Sequence, residues 1–172
     1  MFLSYFSPPS EEIFSLKSKS ASGTIGSVIS VFDGNVFPNL DKAKVAIFGV
    51  NESRGTSVPS ASNNMNSFRQ EFYKLYIGPW NFEIIDLGDF KKGEKIEDTY
   101  FGITDLISNL LSIGVVPIMI GGGHDLCYAV YKAYESFGKG VNISSIDSKF
   151  DLISDDMTNI NSRNFLGYIV KE

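Results

Sequence analysis

Apolar residues run along this chain in two rhythms. Lys44–Val50 (KVAIFGV), Phe82–Leu87 (FEIIDL) and Val115–Ile120 (VVPIMI) are short, dense runs of the kind a buried strand needs, and Val141–Ile146 reads as a fourth. Between them the spacing turns helical. Met65, Phe68, Phe72 and Tyr76 share one face of a helix over 65–76, with Asn63 or Asn64 as its N-cap. Ile96, Tyr100, Ile103, Leu106, Ile107, Leu110 and Leu111 form the stripe of a longer helix over 96–112, stopped at Gly114. A third helix is expected over 125–137, ended by Gly138. The order β-α-β-α-β-α-β with apolar strands predicts a parallel sheet flanked by helices. Ligands in such folds sit beyond the carboxyl ends of strands, which directs attention to the loops after Val50, Leu87, Ile120 and Ile146. Residues 1–43, punctuated by Pro8-Pro9 and a Ser- and Lys-rich run, are expected to form an irregular covering arm, with a single domain over 44–172.

Composition narrows the possibilities. With 172 residues, 43% of them hydrophobic and 20% charged, the chain has the make-up of one ordinary folded domain. A net charge of −5 argues against a nucleic-acid partner, which would require a basic face. The longest wholly apolar run is far too short to span a bilayer, and MFLSYFSPPSEE lacks the basic start of a signal peptide. No membrane partner and a cytoplasmic location are therefore expected. One cysteine, Cys127, excludes an internal disulfide and a four-cysteine zinc site. One histidine, His124, excludes any mechanism that needs two histidines from these residues.

Two clusters can carry chemistry. Gly121-Gly122-Gly123-His124-Asp125 follows the third strand and opens a helix. A phosphate cradle is disfavoured, because Leu126 stands where a dinucleotide fingerprint has its last glycine and no Gly-Lys-Ser/Thr ending is present. A plain strand–helix turn remains open, as does a pocket in which the bare glycines present the imidazole to a metal. The second cluster, Asp147-Ser148-Lys149-Phe150-Asp151, would align Asp147, Lys149 and Asp151 on one face if extended. Two carboxylates and one imidazole suit Mn2+. A solvated salt-bridge cluster, with Lys149 neutralising both aspartates, is the competing reading. Asp86 and Asp89 read as turn residues.

GGGHD after an apolar strand, with D-x-x-F-D-L closing the next, resembles the arginase–agmatinase–formimidoylglutamase family, nearest its formimidoylglutamase branch, over residues 44–152. Gly49-Val50, Gly55 and Phe68-Arg69 are similar to that family's N-terminal block. The resemblance implies a three-layer α/β/α fold and a two-manganese site hydrolysing C–N bonds of linear amidines or guanidines. It makes His124 a ligand of the first metal, Asp147 a carboxylate shared by both, and Asp151 a first-metal ligand that also orients the attacking water. Lys149 stands where the family has a second-metal histidine, and Ile153 where formimidoylglutamases have an arginine. The family's Ser-x-Asp-x-Asp motif has no counterpart in these 172 residues. Ser162 and Asn164 lie in a stretch similar to the arginase substrate loop and become substrate-contact candidates. The expectation is thus the N-terminal part of a formimidoylglutamase-like hydrolase with a degenerate site. It would hold at most one weakly bound manganese, with Lys149 in place of the second ion. As this polypeptide it would be inactive, with a binding or scaffold homologue as the alternative. Homo-oligomerisation, or dependence on a missing C-terminal half, would accompany it.

Overall fold

The computed structural model describes residues 3–56, 65–138, 140–152 and 159–171, so the expected cap at Asn63 or Asn64 and the Ile153 position lie outside the described residues. The elements in chain order are β1 (Phe6–Ser7), α1 (Glu11–Ser18), α2 (Ile25–Val28), β2 (Ser30–Val31), β3 (Ala43–Val50), α3 (Met65–Phe72), β4 (Glu83–Phe90), α4 (Ile96–Ser112), β5 (Val116–Ile120), α5 (Leu126–Glu135) and α6 (Phe165–Lys171). They fall into two compact units, one of Met1–Asn51, Ser62–Lys91 and Leu110–Gly121, the other of Glu52–Ala61, Lys92–Asn109 and Gly122–Glu172.

The first unit is built on a mostly parallel sheet in the order β1-β4-β3-β5. β3 pairs in parallel with β4 on one side and β5 on the other. The free edge of β4 is shared end to end by β2, parallel and opposite Ile85-Asp86, and β1, antiparallel and opposite Asp89-Phe90. Ala46, Phe48, Val50, Ile85 and Leu87 are buried, as their apolar runs require. α4 closes as expected at Gly114 (φ 75°): the Val115 N–H reaches back to Leu110 O and the Gly114 N–H to Leu111 O, the two bonds of a Schellman cap.

The amino-terminal segment departs from the expected irregular arm. Glu11 and Glu12 place carboxylates in the first turn of α1, where the helix dipole favours them. Ile13, Ile25 and Ile29 then join Ile47 and Tyr73 in one buried cluster, with Leu16 and Phe68 packed against it. Phe6 of β1 meets Phe48 and Phe90 edge-on. Strands of two residues are too short to show an alternation, which is why the pattern hid them.

The expected fourth strand does not form. Val141–Ile146 runs without strand pairing among the described residues, with Ile146 fully exposed. A strand is completed by its neighbour's hydrogen bonds, and none of the described strands supplies them to this segment.

Asp86 and Asp89 also differ from the turn residues expected, because β4 runs on through Gly88 to Phe90. The Asp86 carboxylate, fully buried, accepts from Arg69 Nε (2.8 Å) and Nη2 (3.1 Å), from the Tyr73 hydroxyl (2.9 Å) and from the Gly88 N–H (2.8 Å). Asp89 takes the remaining fork of Arg69 at 2.7 Å. Burial opposes the Arg69 charge, but the two aspartates outweigh it and hold the guanidinium protonated; burial and the Asp86 charge together push the Tyr73 phenol up. Breaking a buried pair by removing one partner costs about 3–5 kcal/mol. Asp86→Ala should lower the urea midpoint accordingly, read by the fluorescence of Trp80 in the same unit. Lys74→Ala, which removes the exposed pair with Glu71, should change the unfolding free energy by about 1 kcal/mol or less and so move the midpoint far less.

Candidate metal centre

The second unit positions its chemistry through one tight turn. Gly121 and Gly122 both hold left-handed backbone (φ 87° and 78°), a region that residues with a Cβ enter only at a cost. A Cβ on Gly122 would also lie 2.2 Å from Leu126 Cδ1. The Gly123 N–H is received by Glu52 O at 3.0 Å, which ties the turn to the segment after β3.

That segment is itself anchored by a buried acid. Glu52 accepts from the Arg54 Nε (3.0 Å) and from the Thr99 hydroxyl (3.2 Å). The Arg54 guanidinium continues to the carbonyls of Gly93 (3.0 Å) and Glu94 (2.6 Å). Burial on its own would raise the Glu52 carboxyl; the hydrogen bonds and charge of Arg54, with the Thr99 hydroxyl, outweigh it and hold the group below its ordinary value.

From this frame His124 projects outward, its side chain 57% exposed and its ring edge-on to Phe165 at 6.2 Å. Its Nδ1 lies 2.9 Å from Asp147 Oδ2 and 3.3 Å from Asp151 Oδ2. The three ligand atoms fall within 4.8 Å of one another. Asp147 Oδ1 accepts the Lys149 N–H at 3.2 Å, which leaves Oδ2 to face the imidazole. Slight burial raises the Asp147 carboxyl, while the Lys149 N–H, the His124 ring and the Ser148 N–H outweigh it and lower it.

The convergence does not come from strand alternation, as the sequence suggested. The chain bends at Ser148-Lys149, and Asp151 adopts a left-handed conformation (φ 46°) that turns its carboxylate towards His124. Lys149 is exposed, and among the described residues it forms no ion pair with Asp147 or Asp151. The competing reading, a salt-bridge cluster around Lys149, is therefore not seen among the described residues. An imidazole nitrogen and two carboxylate oxygens, converging and poor in other donors, fit one divalent ion of the manganese type. A cavity of about 130 Å³ adjoins them, lined by Asp147, Lys149, Asp151, Phe165 and Leu166 among others.

Ser162 and Asn164 are engaged elsewhere. Ser162 Oγ donates to Asp125 Oδ1 (3.0 Å) and contacts Gly55 O (3.1 Å). Asn164 is buried; its Oδ1 accepts the Asn161 N–H (2.8 Å) and its Nδ2 donates to Asn159 O (3.0 Å). Both thus shape the turn that opens α6. Residues the sequence reading missed are Glu52, Arg54, Tyr100 and Asp125. The Tyr100 hydroxyl donates to the buried Asp125 carboxylate at 2.7 Å, and burial together with that bond pushes the phenol up.

The family model of the arginase family matches residues 43–171. The chain belongs to the arginase family. A formimidoylglutamase of Streptococcus gordonii is 25% identical to it over 152 residues, 81% of this chain and 45% of that protein. Among solved structures, a formimidoylglutamase of Bacillus subtilis matches with a TM-score of 0.68 at 20% identity, over 90% of this chain and 50% of that one. A formiminoglutamase of Trypanosoma cruzi with Mn2+ matches with a TM-score of 0.67 at 19% identity, over 80% and 54%. These structures show the arginase-like α/β fold, and the arginase-family chain spans about half the length of the relatives it matches.

The Glu52 anchor sets an acid limit on this unit. A carboxyl lowered in the folded state stabilises it above the ordinary value of 4.5, and the contribution disappears as pH falls through the lowered value. Glu52→Gln should therefore melt below the unmodified chain at neutral pH. The two melting temperatures should converge on acidification, as thermal scans across pH would show.

Proposed function

We propose that His124, Asp147 and Asp151 hold one manganese ion, and that the chain thereby carries part of a site for hydrolysing the C–N bond of a linear amidine or guanidine, formimidoylglutamate-like in class. The observation that carries this reading is the meeting of His124 Nδ1 with the two carboxylates within 4.8 Å. The formimidoylglutamase names of the relatives support the substrate class. When bound, the ion would supply Lewis-acid activation of water and of the substrate. Asp147 offers Oδ2, its other oxygen being held by the Lys149 N–H. Asp151 would offer Oδ2, the oxygen that faces the imidazole, and by the family resemblance would also help to orient the attacking water.

This polypeptide by itself should not turn over. Two ions about 3.5–4 Å apart require more carboxylates than Asp147 and Asp151 provide. By the family resemblance, Lys149 stands at the second position, where its charge would oppose another cation. That substitution also favours a second reading, a non-catalytic homologue with a binding or scaffold role. In either case a second copy of this chain is the expected partner, because Ile143, Ile146, Phe150 and Leu152 expose large apolar side chains.

Manganese titration with elemental analysis after dialysis should give at most one weakly held ion per chain, lost in His124→Ala and Asp147→Asn. Lys149→His should raise occupancy. Two tightly held ions, or formamide released above blank from formimidoylglutamate, would overturn the account of the site and of its inactivity.

A further inference from the structure

We propose that Asp125 is the positioning residue for His124: its buried carboxylate, clamped by Tyr100 and Ser162, fixes the turn from which the imidazole projects. The inference rests on His124 being an ion ligand, and concerns what aims it.

An aspartate at the start of a helix ordinarily caps it. Asp125 does not. Its backbone is already helical (φ −53°, ψ −30°), and its side chain makes no capping bond to α5. Nor is it neutralised by a cation, since among the described residues no Lys or Arg pairs with it. The carboxylate is nonetheless fully buried and turned onto two hydroxyls, Tyr100 at 2.7 Å from α4 and Ser162 at 3.0 Å from the 159–164 turn. Holding a carboxylate out of water on two neutral donors is unfavourable unless the geometry compels it.

Two glycines show how closely the surrounding backbone is fitted. A Cβ on Gly55 would lie 2.2 Å from Asp125 Oδ2, and one on Gly123 would lie 2.1 Å from Oδ1. Gly55 is itself bound to the clamp, because its carbonyl receives the Ser162 N–H at 2.8 Å. Three segments distant in sequence thus converge on one side chain, the neighbour of the only histidine.

His124 has little of its own to hold it. Its side chain is more than half exposed, with Phe165 at its edge and two aspartates at Nδ1. Packing leaves such a ring largely free, so apart from its contacts with Asp147 and Asp151 its direction depends on the backbone beneath it, and that backbone is what Asp125 restrains.

The single histidine makes the test direct. In the full chain labelled with 13C at the imidazole Cε1, His124 gives one signal, which substoichiometric Mn2+ should broaden. Asp125→Asn, Tyr100→Phe and Ser162→Ala each weaken the clamp while keeping the volume nearly constant. In the metal-free variants the His124 signal should move towards that of free histidine, while far-ultraviolet dichroism is retained. The Mn2+ concentration needed for broadening should rise roughly 10-fold for Asp125→Asn, the lower end of the effect of residues that orient ligands. A purely structural role would lower the melting temperature and leave the His124 signal and its Mn2+ response unchanged, and that result would overturn the proposal. If Mn2+ fails to broaden the signal of the unmodified chain, the ion reading fails, and the metal-free shifts still decide whether Asp125 aims His124.

Discussion

The chain leaves β5 through two consecutive left-handed residues, and the geometry around His124 depends on that reversal. Without Gly121 and Gly122 in this conformation, the Gly123 N–H could not meet Glu52 O, and the residues after it could not enter α5 with Asp125 buried and His124 turned outward. The same bareness serves packing, because the backbone of Gly123 lies against the Asp125 carboxylate where any side chain would collide. Conformational freedom and close approach are separate requirements, and the three-glycine run meets both.

Among the described residues three acids are withdrawn from water, and each is satisfied differently. Asp86 is saturated by a bidentate arginine, a phenol and a backbone amide. Glu52 shares a partly exposed arginine that goes on to bind loop carbonyls. Asp125 has, among the described residues, hydroxyls alone. Charge compensation therefore decreases from the first to the third. The Arg69 site is suited to a fixed structural role, since a planar fork is matched to two carboxylates and lysine could not reproduce it. The Asp125 site is the more finely balanced, and it adjoins His124.

Much of this was legible in the sequence, for identifiable reasons. β3 and β4 are largely buried runs whose composition alone demands cover, and α4 carries both an apolar stripe and its own stop signal at Gly114, whereas β5 forms as an edge strand with Val116 and Ile118 exposed, not covered as its apolar run suggested. His124, Asp147 and Asp151 could be singled out because the sequence has one histidine and because GGGHD and D-x-x-F-D-L together resemble a known family. What escaped was relational. Val141–Ile146 has the residues of a strand and, among the described residues, no partner for one. Asp86 and Asp125 look like turn and cap residues locally, and only contacts from distant segments reveal otherwise. The amino-terminal helices and two-residue strands were hidden by a polar, proline-marked surface pattern, although Ile13 and Phe6 enter the core.

The left-handed backbone at Asp151 has a consequence for substitution at this position. A non-glycine residue in that region carries roughly 1–3 kcal/mol of strain, which the surrounding fold must sustain. Here that strain is carried by the fold itself, and the conformation goes with an Asp151 carboxylate standing 3.3 Å from the imidazole, so a substitution by glycine, which enters this region freely, would relax the backbone and lose the carboxylate together.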